Sequence, residues 1–222
     1  MSLIRFDNSD NIFDSNLLTL EPIEEKKKDT YSYYSMPIRY NGAKVKIRLP
    51  KTFLQGIYFN EQFMTFSLFY PYPNEEMNLT TEQRTFKKWI DSFEKTVKEK
   101  ALEAMKGSKL RNKPFTPLFQ ETKSSGLNMF IKFASSGGIL NQKCYDFKGN
   151  EQDINKVCTF DREGDYLVII DVPSVYISGM KQAKNKALIQ VFGDVIFTET
   201  KEKERTEPQL DVVDVLGKEL LS

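Results

Sequence analysis

The sequence predicts a mainly β fold with one long helix, and three observations carry that prediction. Residues 44–49 alternate strictly, with Lys44, Lys46 and Arg48 on one face of a strand and Val45, Ile47 and Leu49 on the other. The stretches 63–70 (FMTFSLFY) and 165–173 (DYLVIIDVP) are dense in β-branched and aromatic residues, which suit a pleated surface. Between them, after Thr80, apolar residues recur at spacings of three and four, the period of an amphipathic helix.

The chain has 222 residues, 40% hydrophobic and 13% aromatic, which fits one domain with tails. Its net charge is only +1, so affinity for a polyanion must come from local patches. There is no histidine. That removes the commonest general base, the Ser-His and Cys-His nucleophile pairs and most transition-metal sites. Cys144 and Cys158 cannot by themselves complete a four-ligand zinc site, and read as reduced, half-buried thiols. The first residues contain no apolar core of a secretion signal, and no apolar run approaches the ~20 residues that span a bilayer. The expectation is a soluble intracellular protein without membrane contact, cofactor or metal.

Residues 1–30 are polar, mixed in charge and without sustained period, and are expected to form a flexible arm. Residues 36–53 hold no acidic side chain. Asn41-Gly42 signals a type I′ turn, whose central residues both need positive φ. The alternating strand follows, and Pro50 ends it. A strand with an apolar back and a cationic front suits a sheet that packs on a core and offers its outer face to an anion; a solvated face is the plain alternative. Residues 63–70 are apolar on both faces and read as a central strand, stopped by Pro71 and Pro73.

Thr80 and Gln83 form a capping-box signature ahead of the stripe Phe86, Ile90, Phe93, Val97, Ala101 and Met105, joined by Trp89. Gly107 stands where a helix-ending glycine belongs. The stripe reads as a core contact. Beyond it, Lys106, Lys109, Arg111 and Lys113 form a basic run that outlasts the last turn, with Phe115 and Phe119 following. Such a loop can track a phosphate backbone. In 127–133 (LNMFIKF) alternation sets Leu127, Met129, Ile131 and Phe133 against Asn128, Phe130 and Lys132. In 139–147 the face Asn141, Lys143, Tyr145 again combines cation and aromatic, and the two stretches are expected to form a hairpin. Residues 187–197 make a last strand, with Gly193 marking a bulge. From 200 onward the composition turns charged and then acidic-apolar, a linker and tail suited to recruiting partners, covering a basic groove or docking as a helix.

The expected organisation is therefore an arm over 1–30, a domain over 31–199 with its helix at about 81–106, and a linker and tail over 200–222. Roughly six or seven strands interrupted by one helix after the third follow the plan of an OB-fold-like β-barrel with extensions at both ends. No phosphate-binding loop or dinucleotide fingerprint is present, the SxxK matches at Ser92 and Ser178 are cheap in a lysine-rich chain, and no acid pair stands apart, so no enzyme is expected.

The stretches IRYNGAKVKIRLPKTFLQGIYF, LNMFIKF, DYLVIIDVPSVYISG and ALIQVFG together resemble the single-stranded-DNA-binding proteins of large nucleocytoplasmic DNA viruses, the iridovirus and African swine fever virus type, over residues 36–197. The resemblance implies an OB-fold core that binds single strands with little sequence preference in viral replication, repair or recombination. It also implies residence in an infected host cell, and it carries over no catalytic set. On this reading Arg39, Lys44, Lys46, Arg48, Lys51, Lys132 and Lys143 contact phosphates, and Lys109, Arg111 and Lys113 extend the track as a mobile loop. Tyr40, Phe115, Phe130 and Tyr145 stack on bases. Neutralising about six phosphates gives a log–log salt slope near −4. Replication proteins are candidate partners of the tail, and a homo-oligomer is a candidate assembly. The rival readings are a β-rich viral structural or host-interaction protein with solvated basic faces, and an RNA-binding module on the same barrel.

Overall fold

A computed structural model of the chain describes residues 2–7, 11–28, 31–61, 65–73, 78–122, 126–179 and 186–202. The fold is mainly β with one long helix. The principal elements, in chain order, are β1 (Tyr31–Tyr40), β2 (Ala43–Arg48), β3 (Thr65–Pro71), α1 (Thr81–Met105), β4 (Gly126–Phe133), β5 (Lys143–Tyr145), β6 (Arg162–Val172), β7 (Ser174–Ser178), β8 (Ala187–Ile189) and β9 (Phe192–Glu202). Shorter strands fill the edges.

Asn41 and Gly42 take φ values of 50° and 71°, the positive pair that a type I′ hairpin needs, and Tyr40 pairs with Ala43 across the turn. The arms of this hairpin then part. β2 pairs with β6 (Val45 with Val172, Ile47 with Ile170), while β1 pairs with β7 (Met36 with Val175, Tyr34 with Ile177). β6 and β7 are one strand bent at Pro173, whose carbonyl accepts the Ile38 N–H at 2.9 Å. Proline has no N–H to give a ladder, so the chain can change sheets there without stranding a donor.

Two sheets result. The larger runs Tyr58–Asn60, β3, β4, β9, β6, β2, Ser2–Ile4. The smaller runs Glu24–Lys28, β1, β7, β8, Phe115–Thr116. Among the described strands the two ends of the larger sheet, Tyr58–Asn60 and Ser2–Ile4, do not pair with one another. The expected barrel is not closed by backbone pairing.

The inner faces share one core. Val45, Ile47 and Leu49 are buried to 1% exposure or less, as the alternation requires, and so are Met129, Ile131, Val168 and Ile170. α1 lies over these faces with Phe86, Trp89, Ile90, Phe93, Val97, Ala101 and Met105 buried, the stripe read from the sequence. Its start carries the predicted capping box: the Gln83 N–H donates to Thr80 Oγ1 at 3.1 Å, and the Thr80 N–H donates to Gln83 Oε1 at 2.9 Å. No helix among the described residues is long and apolar enough to cross a membrane.

The structure corrects the sequence reading in two places. Residues 2–7 and 11–28 do not form a loose arm. Ser2–Ile4 pairs with β2, Leu18–Leu20 and Glu24–Lys28 pair with β1, and Phe6 is fully buried with its ring 5.3 Å from Phe86 and 5.8 Å from Trp89. A single fully buried phenylalanine stabilises by about 1.5–3 kcal/mol, enough to hold a segment whose sequence has no period of its own. The expected hairpin of 127–133 with 139–147 is also absent. Ile139–Leu140 folds back on Ser135–Ser136 through Gly137 and Gly138, and the Asn155 side chain then clamps both the N–H and the carbonyl of Leu140. β5 is thereby redirected to pair in parallel with β9. Residues 63 and 64 of the strand expected over 63–70 lie outside the described residues. The tail expected over 200–222 lies outside the described residues from 203 onward.

Gly193 does sit at a bulge. Ile169 pairs with Val195 but Ile170 pairs with Gly193, so Asp194 is the extra residue. A Cβ on Gly193 would lie 2.0 Å from the Phe133 ring, which accounts for glycine at this position.

Candidate nucleic-acid interface

The register places one row of residues straight across the solvent face of the larger sheet: Tyr58, Ser67, Lys132, Phe192, Asp171 and Lys46. The cations of β2 and β4, far apart in sequence, therefore share a face. A second row runs Lys143, Val195, Ile169, Arg48, and a third Tyr145, Phe197, Leu167. The bulge at Gly193 keeps Phe192 and Val195 on this same face despite their odd spacing.

Much of the predicted positive charge on this face is neutralised. The Lys46 ammonium donates to Asp194 at 2.6 Å and lies 3.5 Å from Asp171. The hydrogen bond to Asp194, helped by the Asp171 charge, raises the lysine above its ordinary pKa against the opposing effect of burial. Arg48 pairs with Glu82 at 2.9 Å and with Asp7. Arg39 pairs with Glu21 at 2.7 Å, and Lys51 with Asp165 at 2.9 Å. The stretch 36–53 contains no acid, yet its cations meet acids delivered by other segments. The expectation of an unbroken cationic front is not met at these positions. Lys44, Lys132 and Lys143 are exposed and form no ion pair with any described residue.

The predicted stacking residues also divide. Tyr40 is taken up by packing: its ring stacks on Phe13 at 5.6 Å, meets Trp89 edge-on at 5.8 Å, and its hydroxyl accepts the Asp14 N–H at 3.0 Å. Phe115 pairs through its backbone with Ala187 and packs on the core. Tyr145 stacks on Phe197 at 5.6 Å within the solvent face. Phe130 stands on that face beside Lys132, where the two line a cleft of about 240 Å³ with Ser67, Gln120 and Phe192. The 106–113 loop is tied down by buried Leu110, and the Lys109 ammonium sits 5.1 Å over the Tyr34 ring. Its hydrogen bond to the Tyr34 hydroxyl raises the pKa of that lysine. Arg111 is exposed and Lys113 half-buried on the same loop.

Sequence reasoning missed the partners of Phe130. Phe69, opposite it on β3, meets it edge-on with centroids 5.2 Å apart. Tyr58 lies 6.2 Å beyond Phe69, and Phe160 lies 5.5 Å beyond Tyr58. Phe160 and Tyr58 are 45% and 38% exposed. The signal lies in residues 63–70, whose two apolar faces suggest a central strand; in the structure Leu68 and Tyr70 point to the core and Phe69 points out. The site is thus a line of rings, Phe160, Tyr58, Phe69 and Phe130, ending at Lys132. Among the described residues no group of three or more Cys, Asp or Glu side chains is arranged to hold a metal.

No family model matches the chain, and no curated protein matches it. A search of solved structures finds a likeness to the single-stranded DNA-binding protein from bacteriophage Enc34, at 12% identity and a TM-score of 0.40, covering 89% of this chain and 99% of that one.

Proposed function

We propose that the protein binds single-stranded nucleic acid, DNA in the first instance, by laying bases along Phe160, Tyr58, Phe69 and Phe130 while Lys132 and Lys143 take phosphates. The single observation that carries this reading is the line of rings at 5–6 Å spacings on an open sheet face. Every base has a π-face, so a ring platform binds single strands with little regard to sequence. Lys132 and Lys143 lie on the same edge of β9, opposite Phe192 and Val195, about 10 Å apart at the rise of an extended strand. Lys44, at the tip of the β1–β2 hairpin, is a further free cation. A part in viral genome replication, repair or recombination is supported by the sequence resemblance alone, as is an OB-like ancestry.

The test is fluorescence anisotropy of a labelled oligo-dT with the full chain, repeated with Phe69→Ala and Phe130→Ala. Each ring is expected to contribute roughly 1–3 kcal/mol, so each variant loses on the order of tenfold in affinity or more. Unchanged affinity in both variants overturns this site. A second reading, a protein-interaction surface, draws support from the internal ion pairs of Lys46, Arg48 and Lys51, which leave the face less cationic than a nucleic-acid groove requires. It predicts no anisotropy change with DNA or RNA oligonucleotides.

A further inference from the structure

The smaller sheet carries a ring platform of its own on its solvent face. Alternation in β1 sends Tyr34, Met36 and Ile38 to the core and Tyr31, Tyr33 and Ser35 outward. Across the ladder Tyr33 faces Ser178 and Ser35 faces Tyr176, so Tyr33 and Tyr176 are diagonal neighbours on one face. Their rings stack, with centroids 5.2 Å apart and planes 29° from parallel, and Tyr31 continues the line 6.4 Å from Tyr33. All three tyrosines are half-buried, and the residues between them are serines, too short to cover a ring.

Cations bracket this platform. Lys26 is the cross-strand partner of Tyr33 on one side. On the other side the Ser178 N–H donates to the Lys186 carbonyl at 3.1 Å, which sets Lys186 beside Ser178 in the same row. Lys186 is two residues from Leu188, the partner of Tyr176, and so belongs to the same face. It is exposed and makes no ion pair with any described residue, whereas Lys26 is paired with Glu24. The row therefore reads cation, ring, small residue, cation.

We infer that Tyr33 and Tyr176, flanked by Lys186, form a second base-stacking site, so that one chain engages two separate segments of single strand. This inference rests on the proposed single-strand binding and extends it to the other sheet. The unpaired nucleobase is the ligand class: a flat π-system stacks on the outward-facing, half-buried ring of Tyr33, and its phosphate meets Lys186. Two such sites, one on each sheet, allow a strand to be wrapped or two strands to be bridged.

The experiment is calorimetric titration of the full chain with the short strand dT6 at low salt. The wild type is expected to take two equivalents. Tyr33→Leu/Tyr176→Leu is expected to take one, and so is Phe69→Leu/Phe130→Leu. Lys186→Glu, an exposed substitution that leaves the packing untouched, is expected to weaken one of the two equivalents by tenfold or more and serves if the tyrosine double variant does not fold. One equivalent in the wild type, abolished only by the Phe69/Phe130 pair, overturns this inference and leaves the first site standing. Two equivalents that survive both the tyrosine variant and Lys186→Glu also overturn it. No binding in the wild type overturns both readings.

Discussion

The Lys46 ammonium lies 2.6 Å from the carboxylate of Asp194, a residue 148 positions away that reaches it only because a bulge at Gly193 turns it out of the β9 ladder. This contact decides the character of the sheet face. A lysine that the sequence offers to solvent is held by the protein itself, with Asp171 as a second partner at 3.5 Å.

Asp194→Asn keeps the shape of the side chain and removes its charge. It is expected to lower stability by about 0.5–1 kcal/mol, the range of a partly exposed pair. It is also expected to raise oligonucleotide affinity on the order of fivefold at 50 mM salt, because one more cation becomes available to a phosphate. Lys46→Ala, by contrast, is expected to leave affinity near the wild-type value. Urea unfolding and anisotropy titration check the two halves; reduced affinity in Asp194→Asn would show that the carboxylate serves binding in another way.

The same pair sets a pH dependence. The folded state raises the Lys46 pKa above 10.5, chiefly through the hydrogen bond to Asp194. A raised lysine contributes its full stabilisation below the unfolded value and loses it as pH climbs through the folded one. The urea midpoint of the wild type is therefore expected to fall faster than that of Lys46→Met between about pH 10 and 12, and the two to run parallel from pH 6 to 9. Parallel behaviour throughout would mean that the pair does not contribute to folding.

With Lys44, Lys132 and Lys143, which pair with no described acid, taking phosphates, binding of a single strand is expected to release about three counterions. The log–log salt slope is then near −2, and affinity falls roughly twentyfold between 50 and 200 mM salt. A slope near −4, the value expected before the ion pairs are counted, would mean that Lys46, Arg48 and Lys51 exchange their carboxylates for phosphates on binding.

Gly193→Ala sets a methyl 2.0 Å from the Phe133 ring, which is itself 5% exposed and packed in the core. The cost is expected to be about 1–3 kcal/mol, the range of an overpacked core. Adding Phe133→Leu is expected to recover part of it by giving the methyl room. A double variant no more stable than Gly193→Ala alone would show that the backbone of the bulge, not the ring, demands glycine.

How much of this was legible in the chain depends on the range of each interaction. The Asn41-Gly42 turn, the Thr80–Gln83 capping box and the α1 stripe from Phe86 to Met105 involve residues within a few positions of one another, and each is found where its pattern places it. The facing of Lys44, Lys46 and Arg48 is likewise a local consequence of a period of two. Phe69 is not legible as an outward ring because its strand carries aromatics on both faces, and composition alone does not say which face is covered. Tyr40 was misjudged because its partner Phe13 belongs to a segment with no period, held down by ring packing.

By itself the sequence determined the β class, the long helix, the turn and the face on which each cation of residues 44–48 stands, since all of these follow from backbone geometry repeated over neighbouring residues. Only the tertiary structure decided which of those cations remain free. Asp165, Asp171 and Asp194 come from other strands, Glu82 from the start of the helix, and Asp7 and Glu21 from irregular segments near the start of the chain. Charge pairing acts through space, whatever the separation along the chain, so no local period can reveal it.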